Sequence, residues 1–313
     1  MSENEKLSSD NKGYGLALLN QIQNDTPVHQ ELVRRVEAIT QRNLICYTAH
    51  FGHPAGTIVQ PDGQLIELLL RSIDLSQYPD TLDLMLHTPG GDPTAAERIV
   101  MTCRNFSKSF RVIVARTCMS AGTLTAMGAD SILMTETAEL GPIDPQMITA
   151  DPGGQGAVVR PAASFVDAYV DLIQKAQSAI KANEPPHPFL ELLKRLDPTW
   201  IQVCLKAREL ARTLGHEFLK KYMHSKKTDQ DIEKVIDRFM KEGELLSHGR
   251  IIRYEKAKEY GLDVNKVITG EPLDRALWEL QMRCENYVQT RRFAKYLVGR
   301  AGGINVNVER AAL

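Results

Sequence analysis

Between residues 44 and 134 short apolar runs alternate with segments of helical period, and this alternation constrains the fold more than any other feature of the chain. Residues 44–48, 82–86, 112–115 and 132–134 read as short strands. Val28, Leu32, Val36 and Ile39 recur at helical spacing before the first of them, and residues 62–73 form a second helical segment. Asp92 is a good N-cap and Pro93 suits a first helical position, so a helix is expected from there to about Phe106. Ser120 opens another that ends near Gly128. Strands joined by crossover helices demand right-handed βαβ units and a largely parallel sheet, hence an α/β protein.

Two segments at predicted strand ends carry chemistry. In Thr88-Pro89-Gly90-Gly91-Asp92, paired glycines let the backbone turn sharply and approach a ligand closely. The following helix supplies free N–H groups and the positive end of its dipole. Such a loop can hold an oxyanion on backbone donors, or it can be a plain strand–helix turn. In Cys118-Met119-Ser120-Ala121-Gly122-Thr123, a serine at a helix start lies among small neighbours that leave room for a carbonyl. Alone, Ser120 could simply cap its helix. Together the segments are more specific, because both fall at the carboxyl ends of consecutive parallel strands, where open α/β sheets build their sites.

The pairing of Pro-Gly-Gly with a later Met-Ser-Ala-Gly on a helix start resembles the Clp-class peptidases. The longer runs 86–91, 119–124 (Met-Ser-Ala-Gly-Thr-Leu) and 140–146 (Leu-Gly-Pro-Ile-Asp-Pro-Gln) are most similar to the serine dehydrogenase proteinase family, which is related to signal peptide peptidase A. Further similar pieces are Arg34-Arg35-Val36-Glu37, Pro161-Ala162-Ala163-Ser164 and 248–262, so the resemblance spans roughly residues 30–265. It implies a ClpP/crotonase-like fold of repeated ββα/βαβ units with a largely helical C-terminal region. The implied organisation is a flexible arm over residues 1–26, an α/β core over 27–150, and a helical extension over 151–313 that completes the fold and makes oligomer contacts.

The same resemblance implies a peptide-bond hydrolase. Ser120 would attack the carbonyl, the N–H groups of Gly91 and Ala121 would hold the oxyanion, and Gly90 would shape the turn. The base is harder to place. ClpP-type enzymes carry a histidine in the neighbourhood of Pro142-Ile143-Asp144-Pro145, where this chain has none. Enzymes similar to signal peptide peptidase A use a lysine further on. Lys175 is the first lysine after Ser120, followed by Lys181, which suggests a Ser–Lys pair. Where the serine dehydrogenase proteinases carry a lysine after Ala-Ala-Ser, this chain has Phe165, Val166 and Asp167. A lysine serves as a base only when burial or a nearby cation favours its neutral form. Asp144 could orient a base or cap its turn, His248 could reach Ser120 or lie on the surface, and His87 reads as a packed histidine holding the oxyanion loop.

Other residues bound the alternatives. Cys46, Cys103, Cys118, Cys204 and Cys284 form neither a CxxC pair nor a zinc-spaced cluster, so free thiols and no metal are expected. Cys118 precedes the helix start, which disfavours it as nucleophile. No Walker or GxGxxG motif is present, and no cofactor is expected. A formal net charge of −1 gives no field that would draw in nucleic acid. Residues 1–12 lack an apolar signal core, and no apolar run approaches the ~20 residues of a membrane span, so a cytoplasmic protein is expected. Later segments read as a Gly-rich loop over 151–156, a charged helix over 226–244, a helix closed by Gly261, and a final helix over 274–297. The expected partners are a polypeptide substrate and further copies of the chain, with any unfoldase or adaptor unidentified. Competing functions are a catalytically inactive Clp-fold scaffold or binding protein, and a crotonase-like acyl-CoA enzyme.

Overall fold

The first strand, β1 (Asn43–Ala49), is buried along its whole length and lies inside the sheet, with a neighbour on each side. The computed structural model describes residues 26–150, 156–240 and 251–308. The expected arm, the centre of the Gly-rich loop, the end of the charged helix and His248 lie outside these residues. The described residues form two compact units, one of residues 26–140 with 251–308 and the other from within residues 141–240.

In the first unit β1 follows helix α1 (Thr26–Thr40) and leads to α2 (Pro61–Ser72). Then come β2 (Thr81–His87), α3 (Pro93–Phe106), β3 (Ser109–Val114) and the short β4 (Thr117–Cys118). Helix α4 (Ala121–Met127), β5 (Ser131–Met134) and β6 (Glu139–Leu140) end this run. The seven-stranded sheet has the order β11 (Gly302–Asn307), β10 (Phe293–Gly299), β1, β2, β3, β5 and β9 (Val264–Lys266). From β1 to β9 every neighbour is parallel, with Cys46 opposite Met85 and Leu84 opposite Val112. Near-continuous apolar strands suit this, because a parallel sheet is covered on both faces. The fold is mixed α/β with a parallel centre, as the alternation demands.

One face of the sheet buries Leu44, Cys46, Met85 and Ile113 against Val33 and Val36 of α1 and against Leu277, Leu280 and Cys284 of α10 (Pro272–Arg291). By strand alternation the other face meets α2, α3 and α4, which pack in succession. Local signals set these helices. Asp92 accepts from Thr94 N at 2.8 Å and Pro93 occupies the first turn of α3, a cap worth about 1 kcal/mol. Gly261, left-handed at φ +107°, ends α9 (Tyr254–Tyr260).

The end of the chain differs from the sequence reading. The final helix, expected to reach residue 297, stops at Arg291, and Arg292 adopts φ +54°. Residues Phe293–Gly299 form β10, antiparallel to β1, and Gly302–Asn307 form β11. Tyr296, Leu297 and Val298 are fully buried in the sheet, so strand pairing outweighs the helical spacing that their apolar positions share with α10.

The second unit contains the hairpin β7 (Gln146–Ala150) and β8 (Ala157–Pro161), then α5 (Ala162–Lys181), α6 (His187–Leu193), α7 (Pro198–Lys221) and α8 (Asp229–Met240). Ala162, Val166 and Cys204 form a small core, edged by Phe165 and Trp200 with ring centroids 6.1 Å apart.

Candidate active site

Two loops leave the carboxyl edge of the parallel sheet side by side. Thr88 N donates to Thr117 O and Met119 N donates to Thr88 O, both at 3.0 Å, so the chain after β2 is zipped to the chain entering α4. Gly122 permits the contact: a Cβ there would lie 2.5 Å from the Thr88 methyl and 2.8 Å from the Cys118 Sγ. Ser120 occupies the N-cap position of α4 at φ +51°, ψ −113°, where a residue with a Cβ is strained. Its side chain makes no capping hydrogen bond, so ordinary capping does not account for the serine. Its carbonyl accepts from Leu124 N at 3.0 Å, which anchors the first turn.

The glycine loop closes over this serine. Gly90, at φ +101°, is so near that a Cβ on it would lie 2.7 Å from the Ser120 Cβ and 2.8 Å from Met119 O. Gly90 N donates to the Thr88 hydroxyl at 3.1 Å. On its other flank the loop is clamped by Ile58, whose N–H donates to Gly90 O at 2.7 Å and whose carbonyl accepts from Asp92 N at 2.9 Å. In such a parallel bridge the flanking residues make both bonds, which leaves the amide of Gly91 pointing away from Ile58. Helix geometry likewise leaves the Ala121 amide without an intrahelical acceptor. Two backbone donors beside Ser120, one from the loop and one from a helix start, form the kind of donor pair that can hold an oxyanion.

Residues 49–296 match the family described as ClpP-like SDH-type serine proteinases. The chain belongs to this family. Its sequence is 31% identical over 237 residues to an uncharacterised protein of Methanocaldococcus jannaschii, covering 76% of this chain and 71% of that one. A second uncharacterised protein of the same organism is 28% identical over 199 residues, which is 64% of this chain and 57% of the other. A solved structure of a ClpP1 variant from Listeria monocytogenes is similar at 13% identity with a TM-score of 0.39, covering 76% of this chain and 98% of that chain. Membership of the ClpP-like proteinases makes a peptidase-type function the family's expectation for the site.

Within its own unit the structure brings together Ser120, Gly90, Gly91 and Ala121. Cys118 is fully buried, and burial pushes its thiol far above the ordinary range, which leaves it a poor nucleophile. All five cysteines are buried and unbridged. His87 is buried against the Phe51 ring, with centroids 4.5 Å apart, and its Nε2 lies 3.6 Å from Glu285. Burial and the Arg116 guanidinium lower its pKa to about 3, against a hydrogen bond to the Thr117 backbone, so it is a neutral packing residue behind the loop.

Two of the candidate bases, Lys175 and Asp144, sit in the second unit. Lys175, on α5, pairs with Asp171 at 2.7 Å and is about half exposed, at 55% of its side-chain area. That is the setting of a surface ion pair rather than of a desolvated lysine. Asp144 is wholly buried, with Oδ1 held by Arg208 Nε at 2.9 Å. Burial raises its pKa to about 6 against the lowering effect of Arg208. Among the described residues no group of three or more His, Cys, Asp and Glu could hold a metal ion. No described helix is long and apolar enough to cross a membrane.

Three residues behind the loop were not singled out from the sequence. Asp62 and Lys295, both 1% exposed, form a buried ion pair, and Ile58 clamps the glycines. Lys295 is the single charged residue in Phe-Ala-Lys-Tyr-Leu-Val-Gly, a signal that becomes readable once the segment is known to be a strand.

Proposed function

We propose that this chain hydrolyses peptide bonds through an acyl-enzyme on Ser120. The observation that carries this is the strained helix-start serine set against Gly90, with the amides of Gly91 and Ala121 left to other acceptors. Ser120 Oγ attacks the scissile carbonyl carbon, and the carbonyl oxygen becomes an oxyanion held by those two amides. The serine proton passes to Lys175 and from it to the departing amine. Water then hydrolyses the ester and restores the hydroxyl. For Lys175 to act in this way the Lys175–Asp171 pair must open, because a lysine accepts a proton only as the neutral amine. Asp144 and His248 are the other residues to be tested as partners of the serine. The substrate is an extended polypeptide, and the active form is a homo-oligomer, which size-exclusion chromatography with light scattering reads directly.

A fluorophosphonate probe tests the reading, because it reacts far faster with an activated serine than with an ordinary hydroxyl. Wild type should be labelled on Ser120, and Ser120→Ala should not. Lys175→Met should lose labelling while keeping the fold. Absence of wild-type labelling from pH 6 to pH 10 would overturn this reading in favour of the second, a catalytically inactive Clp-fold scaffold or binding protein. The half-exposed, ion-paired Lys175 is the observation that favours that alternative.

A further inference from the structure

We propose that Lys295 and Asp62 are positioning residues for the oxyanion loop, acting through the backbone of Val59 and Ile58. This deepens the peptidase reading and rests on it. Lys295 Nζ donates to both carboxylate oxygens of Asp62, at 2.9 and 2.8 Å, from 233 residues further along the chain. The Tyr47 hydroxyl donates to Asp62 Oδ2 at 2.9 Å, and Val59 N donates to the same oxygen at 2.9 Å. Asp62 N returns a bond to Val59 O at 3.0 Å, closing a tight loop at the start of α2. The carboxylate therefore fixes the residue that follows Ile58.

Ile58 links this network to the glycines. It holds Gly90 O and Asp92 N by its own backbone, and a Cβ on Gly91 would lie 2.3 Å from its carbonyl oxygen. Any shift of Ile58 thus moves Gly91, whose amide is one of the two oxyanion donors. Displacements of about 1 Å in such a constellation cost on the order of a hundredfold in rate. Among the described residues Tyr47 is the titratable group that faces the pair, through its hydrogen bond to Asp62. A buried ion pair is poor evidence for a stability role, since well-packed apolar residues often do as well. What an apolar replacement cannot supply is an acceptor for Val59 N.

Lys295→Met strands a buried carboxylate and should lower the melting temperature. Combining Asp62→Leu with Lys295→Met removes both charges, and the double variant should regain most of the loss. Its second-order rate of fluorophosphonate acylation at Ser120 should nevertheless stay at least about tenfold below wild type. Amide exchange of Ile58 and Asp92 should accelerate while that of β3 does not. Val59→Pro, which deletes the donor and leaves the ion pair intact, should reproduce the loss of acylation and covers the case in which the double variant fails to fold. Wild-type acylation rates in a folded double variant, or in Val59→Pro, would overturn the positioning role and leave the peptidase reading standing. No labelling of wild type would overturn the peptidase reading itself, and amide exchange would still report whether the pair holds the loop.

Discussion

Gly90 and Ser120 are in such close apposition that a methyl group on the glycine would lie 2.7 Å from the serine Cβ. Gly90→Ala also forces an L side chain to φ +101°, so it should cost about 1–3 kcal/mol in stability and at least about a hundredfold in acylation. Gly302→Ala, which meets nothing within 4 Å, should change neither. Urea titration and probe kinetics on the two variants check the contrast.

The serine itself carries strain. At φ +51° Ser120 is held where glycine is at ease, so Ser120→Gly should be more stable than Ser120→Ala by about 1 kcal/mol. Both should be inert to the probe. Equal stabilities in urea would show that the surrounding loops do not enforce the backbone conformation.

His87 should stay neutral well below the ordinary histidine range. Its folded pKa of about 3 lies below the unfolded value of 6.5, so the unfolded chain binds the extra proton between these values. The contribution is present above pH 6.5 and is lost as pH falls toward 3. NMR of the imidazole should show no titration between pH 8 and pH 4, and His87→Phe should flatten the acid limb of the stability curve.

Asp144 has the opposite sign. Its folded pKa of about 6 lies above the ordinary 3.8, so the native carboxyl holds its proton more tightly than the unfolded chain does. This stability is fully present below pH 3.8 and is lost as pH rises through 6. Removing the counter-ion should sharpen the effect. Arg208→Ala should cost about 3 kcal/mol at pH 7 and much less at pH 4, measured by protection of the amides of α7.

The framework of the first unit was legible because local chemistry announces it. Asp92-Pro93 marks a helix start, Gly261 marks a helix stop, and apolar runs bounded by such signals mark buried strands. The juxtaposition of Ser120 with Gly90 was legible because parallel crossovers bring consecutive strand ends to one edge. Strand β10 was not, because its pairing partner β1 is remote in sequence and its apolar spacing continues that of α10. For the same reason the Asp62–Lys295 pair was invisible: each residue looks like an ordinary charge until the sheet brings them together. A base for Ser120 was not legible, because a lysine's service as a base depends on its surroundings, which spacing does not encode.

The distance along the chain between Asp62 and Lys295 has a consequence for biosynthesis. A ribosome adding about 5–20 residues per second needs on the order of ten seconds or more to make Lys295 after Asp62. Until then the carboxylate has no counter-ion and β1 lacks one of its two neighbours. A nascent chain thus carries its serine and glycines long before the brace behind them exists. The loop beside Ser120 therefore takes on its brace only after β10 has joined the sheet, so its shape is among the last local features of the first unit to be fixed.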